Sequence, residues 1–177
     1  MHSVEGRVMP VGWRSLSAIA AAVAGLTMTA GCGSESSTQS AGGCTDQTAA
    51  SEQNADEKYL TVEITKRKIL PAGICLSEVD ATDLIDQPGR IKVRFELTAP
   101  SSVSIDDLRP AATDLAHFLK KTPLIFIRTT IMEVTNEGYP KAPYKALLTD
   151  TNFQNNPWNG TPSLEAELAQ WVTVDLA

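Results

Sequence analysis

Arg90-Ile91-Lys92-Val93-Arg94-Phe95-Glu96-Leu97-Thr98 is the stretch that decides the fold class. Ile91, Val93, Phe95 and Leu97 fall on one side of an extended chain. Arg90, Lys92, Arg94, Glu96 and Thr98 fall on the other. Successive side chains of a strand point to opposite faces, so this alternation predicts a strand with one dry and one wet face. A sheet of that kind is typically antiparallel and covered on one side only. Gln87-Pro88-Gly89, just before it, is a turn.

The next segment supplies the cover. Ser104 can cap a helix, and Asp106 and Asp107 suit the positive end of its dipole. Pro110 fits an early helical position, where its missing N–H costs nothing. Leu108, Ala111, Ala112, Leu115, Phe118 and Leu119 then recur at helical spacing. Lys120 and Lys121 sit at the favourable C-terminal end, and Pro123 is expected to end the helix. Leu124 to Val134 reads as a third strand and Tyr144 to Asp150 as a fourth, with Asn136-Glu137-Gly138 turning the chain between them. Thr161-Pro162 reads as a cap and first helical residue, with Leu164, Leu168 and Trp171 on one face. Val172-Thr173-Val174 reads as a short closing strand.

On the N-terminal side, Leu60, Val62 and Ile64 alternate with Thr61, Glu63 and Thr65, which predicts a first strand. Residues 76–90 are acidic and expected to be irregular. The order is therefore β-β-α-β-β-α with a last β. It implies an α+β two-layer sandwich, a mostly antiparallel sheet with helices on one face.

Residues 33–56 contain no aromatic and no large aliphatic side chain. Such a segment cannot bury enough surface to offset its ordering entropy, so 32–56 is expected to be a flexible tether and 57–177 the globular domain. Residues 1–31 have three parts: Arg7 and Arg14, an uncharged run from Leu16 to Met28, and the small residues Thr29-Ala30-Gly31 before Cys32. The apolar run is shorter than the roughly 20 residues a membrane-spanning helix needs, and the pattern is that of an export signal. Met9 is an alternative start that would shorten the leader.

Ala30-Gly31-Cys32 resembles the lipobox of bacterial lipoproteins, although Thr29 stands where Leu is usual. The resemblance covers the leader alone. It implies cleavage before Cys32, a diacylglyceryl group on its thiol, and a membrane partner. The chain would then sit on the outer face of the cell membrane, or on an envelope membrane facing the periplasm. Two acyl chains make a stable anchor where one is marginal. With Cys32 so used, Cys44 and Cys75 remain in an oxidising space and are expected to form a disulfide. It would close a loop of about 30 residues, worth about 3–4 kcal/mol in the chain-entropy view. A buried free Cys75 or a reactive thiol are the alternatives.

The whole chain has 15 basic and 21 acidic residues. Without Arg7, Arg14 and Glu5 of the leader, the remaining 146 residues carry 13 and 20, a net charge of −7. That balance disfavours nucleic acid as a partner. Lys66-Arg67-Lys68 reads as a solvated strand end, with lipid headgroups as the alternative contact.

Recognisable chemistry is sparse. His117 is the only histidine beyond the leader, three residues after Asp114; a pair with a Cys75 thiol is conceivable, and a boundary histidine is the plainer reading. One histidine with two bridged cysteines cannot supply a zinc site, and Asp80, Asp83 and Asp86 lack a calcium-loop pattern, so no metal is expected. There is no nucleophile elbow, phosphate loop or dinucleotide fingerprint, hence no cofactor. The segment 139–158 concentrates aromatic rings and amides, and Tyr139, Trp158, Asn155 and Asn156 are the candidate binding patch. Tyr144, Phe153 and Trp158 closing the end of the core is the competing reading. The function expected is a non-enzymatic binding or interaction module of the cell envelope, acting on an unidentified envelope protein or ligand. The alternatives are a carboxylate- or Cys-based enzyme and a small lipophilic-ligand carrier.

Overall fold

The computed structural model describes residues 53–137 and 143–176. The leader, Cys32, Cys44, most of the tether and Tyr139 lie outside the described residues.

The elements are α1 (Ala55–Arg67), β1 (Cys75–Asp83), β2 (Ile91–Thr98), α2 (Arg109–Lys120), α3 (Pro123–Phe126), β3 (Thr129–Asn136), β4 (Ala146–Asp150), α4 (Leu164–Leu168) and β5 (Val172–Asp175). A 3-10 turn, Ile105–Leu108, leads into α2. The five strands form one open sheet in chain order, β1-β2-β3-β4-β5. Only β2 and β3 run parallel; the crossover through α2 and α3 joins them. The other pairs are antiparallel. The chain is thus α+β with a mostly antiparallel sheet.

The β2 segment behaves as its alternation demands. Ile91, Val93, Phe95 and Leu97 are buried, and Lys92, Arg94, Glu96 and Thr98 are half-buried. The buried side joins one core with Leu60 and Ile64 of α1, Val79 of β1, Leu115 and Leu119 of α2, Met132 and Val134 of β3, and Leu148 of β4. Burying each Leu, Ile or Phe contributes about 1.5–3 kcal/mol, so this seam carries the stability of the domain.

Several expectations about the backbone are corrected. First, Leu60, Val62 and Ile64 belong to a helix. Asn54 caps it through the Asp56 and Glu57 N–H groups, and Glu57 reaches back to the Asn54 N–H, a reciprocal capping box. Leu60 and Ile64 are one helical turn apart and face the core, while Val62 is 55 % exposed. Alternation over five residues fits both periods, and the cap decides between them. Helix α1 and its Asn54 cap thus reach into the stretch expected to be tether, and Lys66-Arg67-Lys68 is a helix end rather than a strand end. Lys68 takes the left-handed conformation that closes it, and the basic pair before it suits the negative end of the dipole.

Second, the acidic stretch after residue 75 is a strand. Its period is hidden by a bulge between Leu76 and Glu78. Leu76 and Val79 both point inward although three residues apart, because the bulge adds one residue. Asp80 then lies opposite Arg94, and Thr82 opposite Lys92.

Third, Leu124 to Val134 is not one strand. Pro123 opens α3 instead of only ending α2, and β3 starts at Thr129. Near the C-terminus, Ser163 rather than Thr161 caps α4, accepting from the Ala166 N–H, and Thr161–Pro162 is a cis peptide.

Candidate binding surface

Of the predicted patch, Trp158 is part of the core. Trp158 is 1 % exposed and packs on Trp171 at 4.8 Å between ring centres. Its indole N–H donates to Asp150 Oδ2 at 2.8 Å. The other Asp150 oxygen accepts from the Asn152 N–H and from Asn156 Nδ2. Asp150 is thus a buried carboxylate with each oxygen used, and a buried charge needs that to be tolerated. Asn156 serves this network and is half-buried, whereas Asn155 is exposed and bonds only Asn152. Lys120 closes the same end: its Nζ donates to the Phe153 and Gln154 carbonyls and lies over the Phe126 and Phe153 rings. Burial lowers the Lys120 pKa, and the Asp150 charge opposes that. Trp158 as an exposed anchor is therefore corrected: it closes the core with Phe153, while Tyr144 packs partly buried at the margin. Of the two readings of this segment, the one in which Phe153 and Trp158 close the end of the core is borne out. A tryptophan among amides fits a wet patch and a buried indole equally until Asp150 is seen as its partner.

His117 finds a partner that spacing along α2 could not reveal. Its Nε2 lies 2.8 Å from Glu167 Oε2, and Glu167 is 0 % exposed. The second Glu167 oxygen accepts from the Gly160 N–H at 2.8 Å. The arrangement ties α4 and the preceding loop to α2. A cleft of about 420 Å3 opens beside it, lined by Arg67, Lys68, Ile69, Asp114, His117 and Phe118, among others. Burial raises the Asp114 pKa, and His117 opposes the shift. Cys75 stands half-buried at the head of β1, and His117 on α2 pairs with Glu167. Among the described residues no group of His, Cys, Asp and Glu is placed to hold a metal ion.

The wet side of the sheet divides into two parts. Over β2 and β3 it is charged: Arg94 and Lys92 both pair with Glu133, at 2.8 and 3.4 Å. Glu78 lies opposite Glu96. Over β4 and β5 it is apolar. Leu147 lies opposite Val174, and Val172, Val174 and Leu176 are 58, 40 and 44 % exposed. Three aliphatic side chains two residues apart form one exposed stripe along an edge strand.

The backbone of that strand is open as well. The Leu176 N–H donates to Lys145 O at 2.8 Å, which fixes the phase of the β4–β5 ladder. Val172, Val174 and Leu176 thus direct their N–H and C=O groups to β4, while those of Thr173 and Asp175 point to the free edge. Among the described residues no hydrogen bond takes these four groups. The Thr173 side chain is held from the opposite face by Arg109, whose guanidinium also binds the Leu168 and Trp171 carbonyls. Sequence reasoning identified the strand but not its exposure. An edge position depends on strand order, which local patterning does not contain.

No family model matches this chain, and no curated protein or solved structure matches it. The surface itself defines what is built here: an α+β domain with an open, apolar sheet edge.

Proposed function

We propose that the chain is an exported, lipid-anchored module of a bacterial envelope that binds a partner through the β5 edge and does not act as an enzyme. The open edge carries the binding half of this reading. A strand with free N–H and C=O groups and an exposed aliphatic stripe offers directional bonds and apolar surface to an added strand. The leader and Cys32 support the anchored half. A Cys44–Cys75 disulfide belongs to this reading, because Cys44 is the cysteine left for Cys75 if Cys32 carries lipid. That cross-link would hold the tether to the head of β1. It fits an oxidising space outside the membrane.

Mass measurement of the protein isolated from bacterial membranes tests the anchor. The expected mass is that of residues 32–177 with a diacylglyceryl group, and Cys32→Ser should release the chain to the soluble fraction. An unmodified Cys32, or a Cys32→Ser chain that stays on the membrane, would overturn it. Neither an enzyme nor a lipophilic-ligand carrier has a specific observation in its favour.

A further inference from the structure

We infer that the partner of the β5 edge is a second copy of the same chain, joined by antiparallel β5–β5 pairing across a twofold axis at Val174. This rests on the binding role assigned to that edge above. The edge defines its own complement. It needs a strand with two outward N–H and two outward C=O groups one residue apart, with aliphatic side chains on the wet side and small polar ones on the other. Val172-Thr173-Val174-Asp175-Leu176 is such a strand.

The register follows from the phase. Thr173 and Asp175 face the free edge, so a bonded pair across the axis must join Thr173 of one copy to Asp175 of the other. Each pair exchanges two hydrogen bonds, and the two pairs use all eight open groups. Val174 then meets Val174 at a non-bonded pair, where side chains approach most closely. Val172 meets Leu176 on either side, and the two exposed stripes merge. On the other side, each Asp175 carboxylate comes opposite the Thr173 that Arg109 holds, so an acidic side chain arrives beside a guanidinium. A charged edge such as that of β1 could not pair with itself in this way, because like charges opposite one another repel.

The contact is small. Pairing two strands of this length covers on the order of 500 Å2, against about 1,200 Å2 or more for a stable interface. Free chains should therefore associate weakly. Copies confined to one membrane surface would meet at a much higher effective concentration, and tethering converts a weak contact into a populated one. An isologous contact of this kind closes on itself and stops at two copies.

Disulfide trapping in the full chain on its own membrane tests the register. Val174→Cys should give a disulfide-linked dimer under mild oxidation. Val172→Cys alone should not, nor Leu176→Cys alone, but the two expressed together should cross-link to each other. Asp175→Pro, tested in the Val174→Cys chain, should cut the trapped dimer at least about fivefold, with thermal unfolding of the domain near that of the parent. A Val174→Cys chain that stays monomeric, or that cross-links to a different protein, would overturn the inference. So would self-linking of Val172→Cys in preference to Val174→Cys. The same variants on a Cys32→Ser background separate this from the anchor. If Cys32→Ser remains on the membrane, the lipid reading fails while the trapping pattern still decides the pairing. If it is released, trapping should fall at cellular concentration and return as the purified soluble chain is concentrated. No return on concentration would count against the pairing.

Discussion

At one edge of the sheet, the outward N–H and C=O of Ala81 are taken by the Glu57 carboxylate and the Asn54 amide, at 2.9 and 3.2 Å. At the other edge, the same groups of Thr173 and Asp175 meet nothing among the described residues. The capping box of α1 therefore does two tasks. It starts the helix, and it occupies the middle of β1 as a neighbouring strand would. β1 is further guarded by its bulge and by Glu78, Asp80 and Asp83. These are the devices that keep edges from pairing with other chains, and β5 has only Asp175. A chain that occupies the middle of one edge in this way and leaves aliphatic residues along the other concentrates any strand-on-strand recognition at β5.

The largest expected effect comes from the anchor of the open strand. Trp171 immediately precedes β5, is 2 % exposed, packs on Trp158 and donates its indole N–H to Thr113 Oγ1. Trp171→Ala should cost about 3–5 kcal/mol in denaturant unfolding, as large-to-small core substitutions do. If the loss is below about 1 kcal/mol, β5 is held by something other than this tryptophan pair and its placement as a fixed open edge is wrong.

Opening the closed edge should cost less. Glu57→Ala removes the reciprocal cap and the acceptor of the Ala81 N–H, a loss of about 1–2 kcal/mol. Hydrogen exchange gives the sharper reading. The Ala81 amide should exchange slowly in the parent chain and fast in the variant, while the Thr173 and Asp175 amides of the free monomer exchange fast in both. Equal exchange at Ala81 and Thr173 in the parent would erase the contrast between the edges.

The acidic guard of β1 has its own cost, visible through pH. Burial pushes the Glu96 carboxyl up to about 7, the Glu137 and Glu78 carboxylates add to this, and Arg94 opposes it. The folded chain thus holds this proton more tightly than the unfolded one. Stability contributed by the protonated form is present below about pH 4.5 and is lost as pH rises through about 7. Glu96→Gln should be more stable than the parent at pH 8, by on the order of 1 kcal/mol once solvent screening of this half-exposed group is allowed for. The difference should vanish near pH 4. An equal difference at both pH values would show that Glu96 does not titrate between them.

How much of this was legible in the sequence depends on the residues. Ile91 to Leu97 declared β2 because four alternating aliphatic or aromatic side chains leave no other period. The helix from Arg109 to Lys120 was equally plain from Pro110 and its apolar stripe, while Ser104 opens the 3-10 turn that leads into it. α1 was misread because Leu60, Val62 and Ile64 suit both periods, and Asn54 was assigned to the tether, so that it was not weighed with Glu57 as a cap. β1 was missed because its bulge broke the alternation. Trp158 was left between patch and core because its partner, Asp150, lies in another element. The open edge was beyond local reading altogether: which strand ends a sheet is settled by the order in which strands pair, and the phase of its hydrogen bonds by the β4–β5 ladder.

The smallest expected effect is also the most specific to the comparison, because it turns on phase rather than on burial. Val174 and Asp175 are neighbours on the same short, exposed strand, and proline removes an N–H at either. At 174 the lost N–H is one that bonds Leu147 across the β4–β5 ladder, so Val174→Pro should cost about 3 kcal/mol or more. At 175 the lost N–H points to the open edge and meets no partner among the described residues, and proline is tolerated on an edge strand with its N side facing solvent. Asp175→Pro should therefore change the unfolding free energy of the monomer by no more than about 1 kcal/mol. Paired denaturation curves for the two variants read this directly. If the order is reversed, the ladder runs in the opposite phase, Thr173 and Asp175 face β4, and the open groups belong to Val172 and Val174 instead.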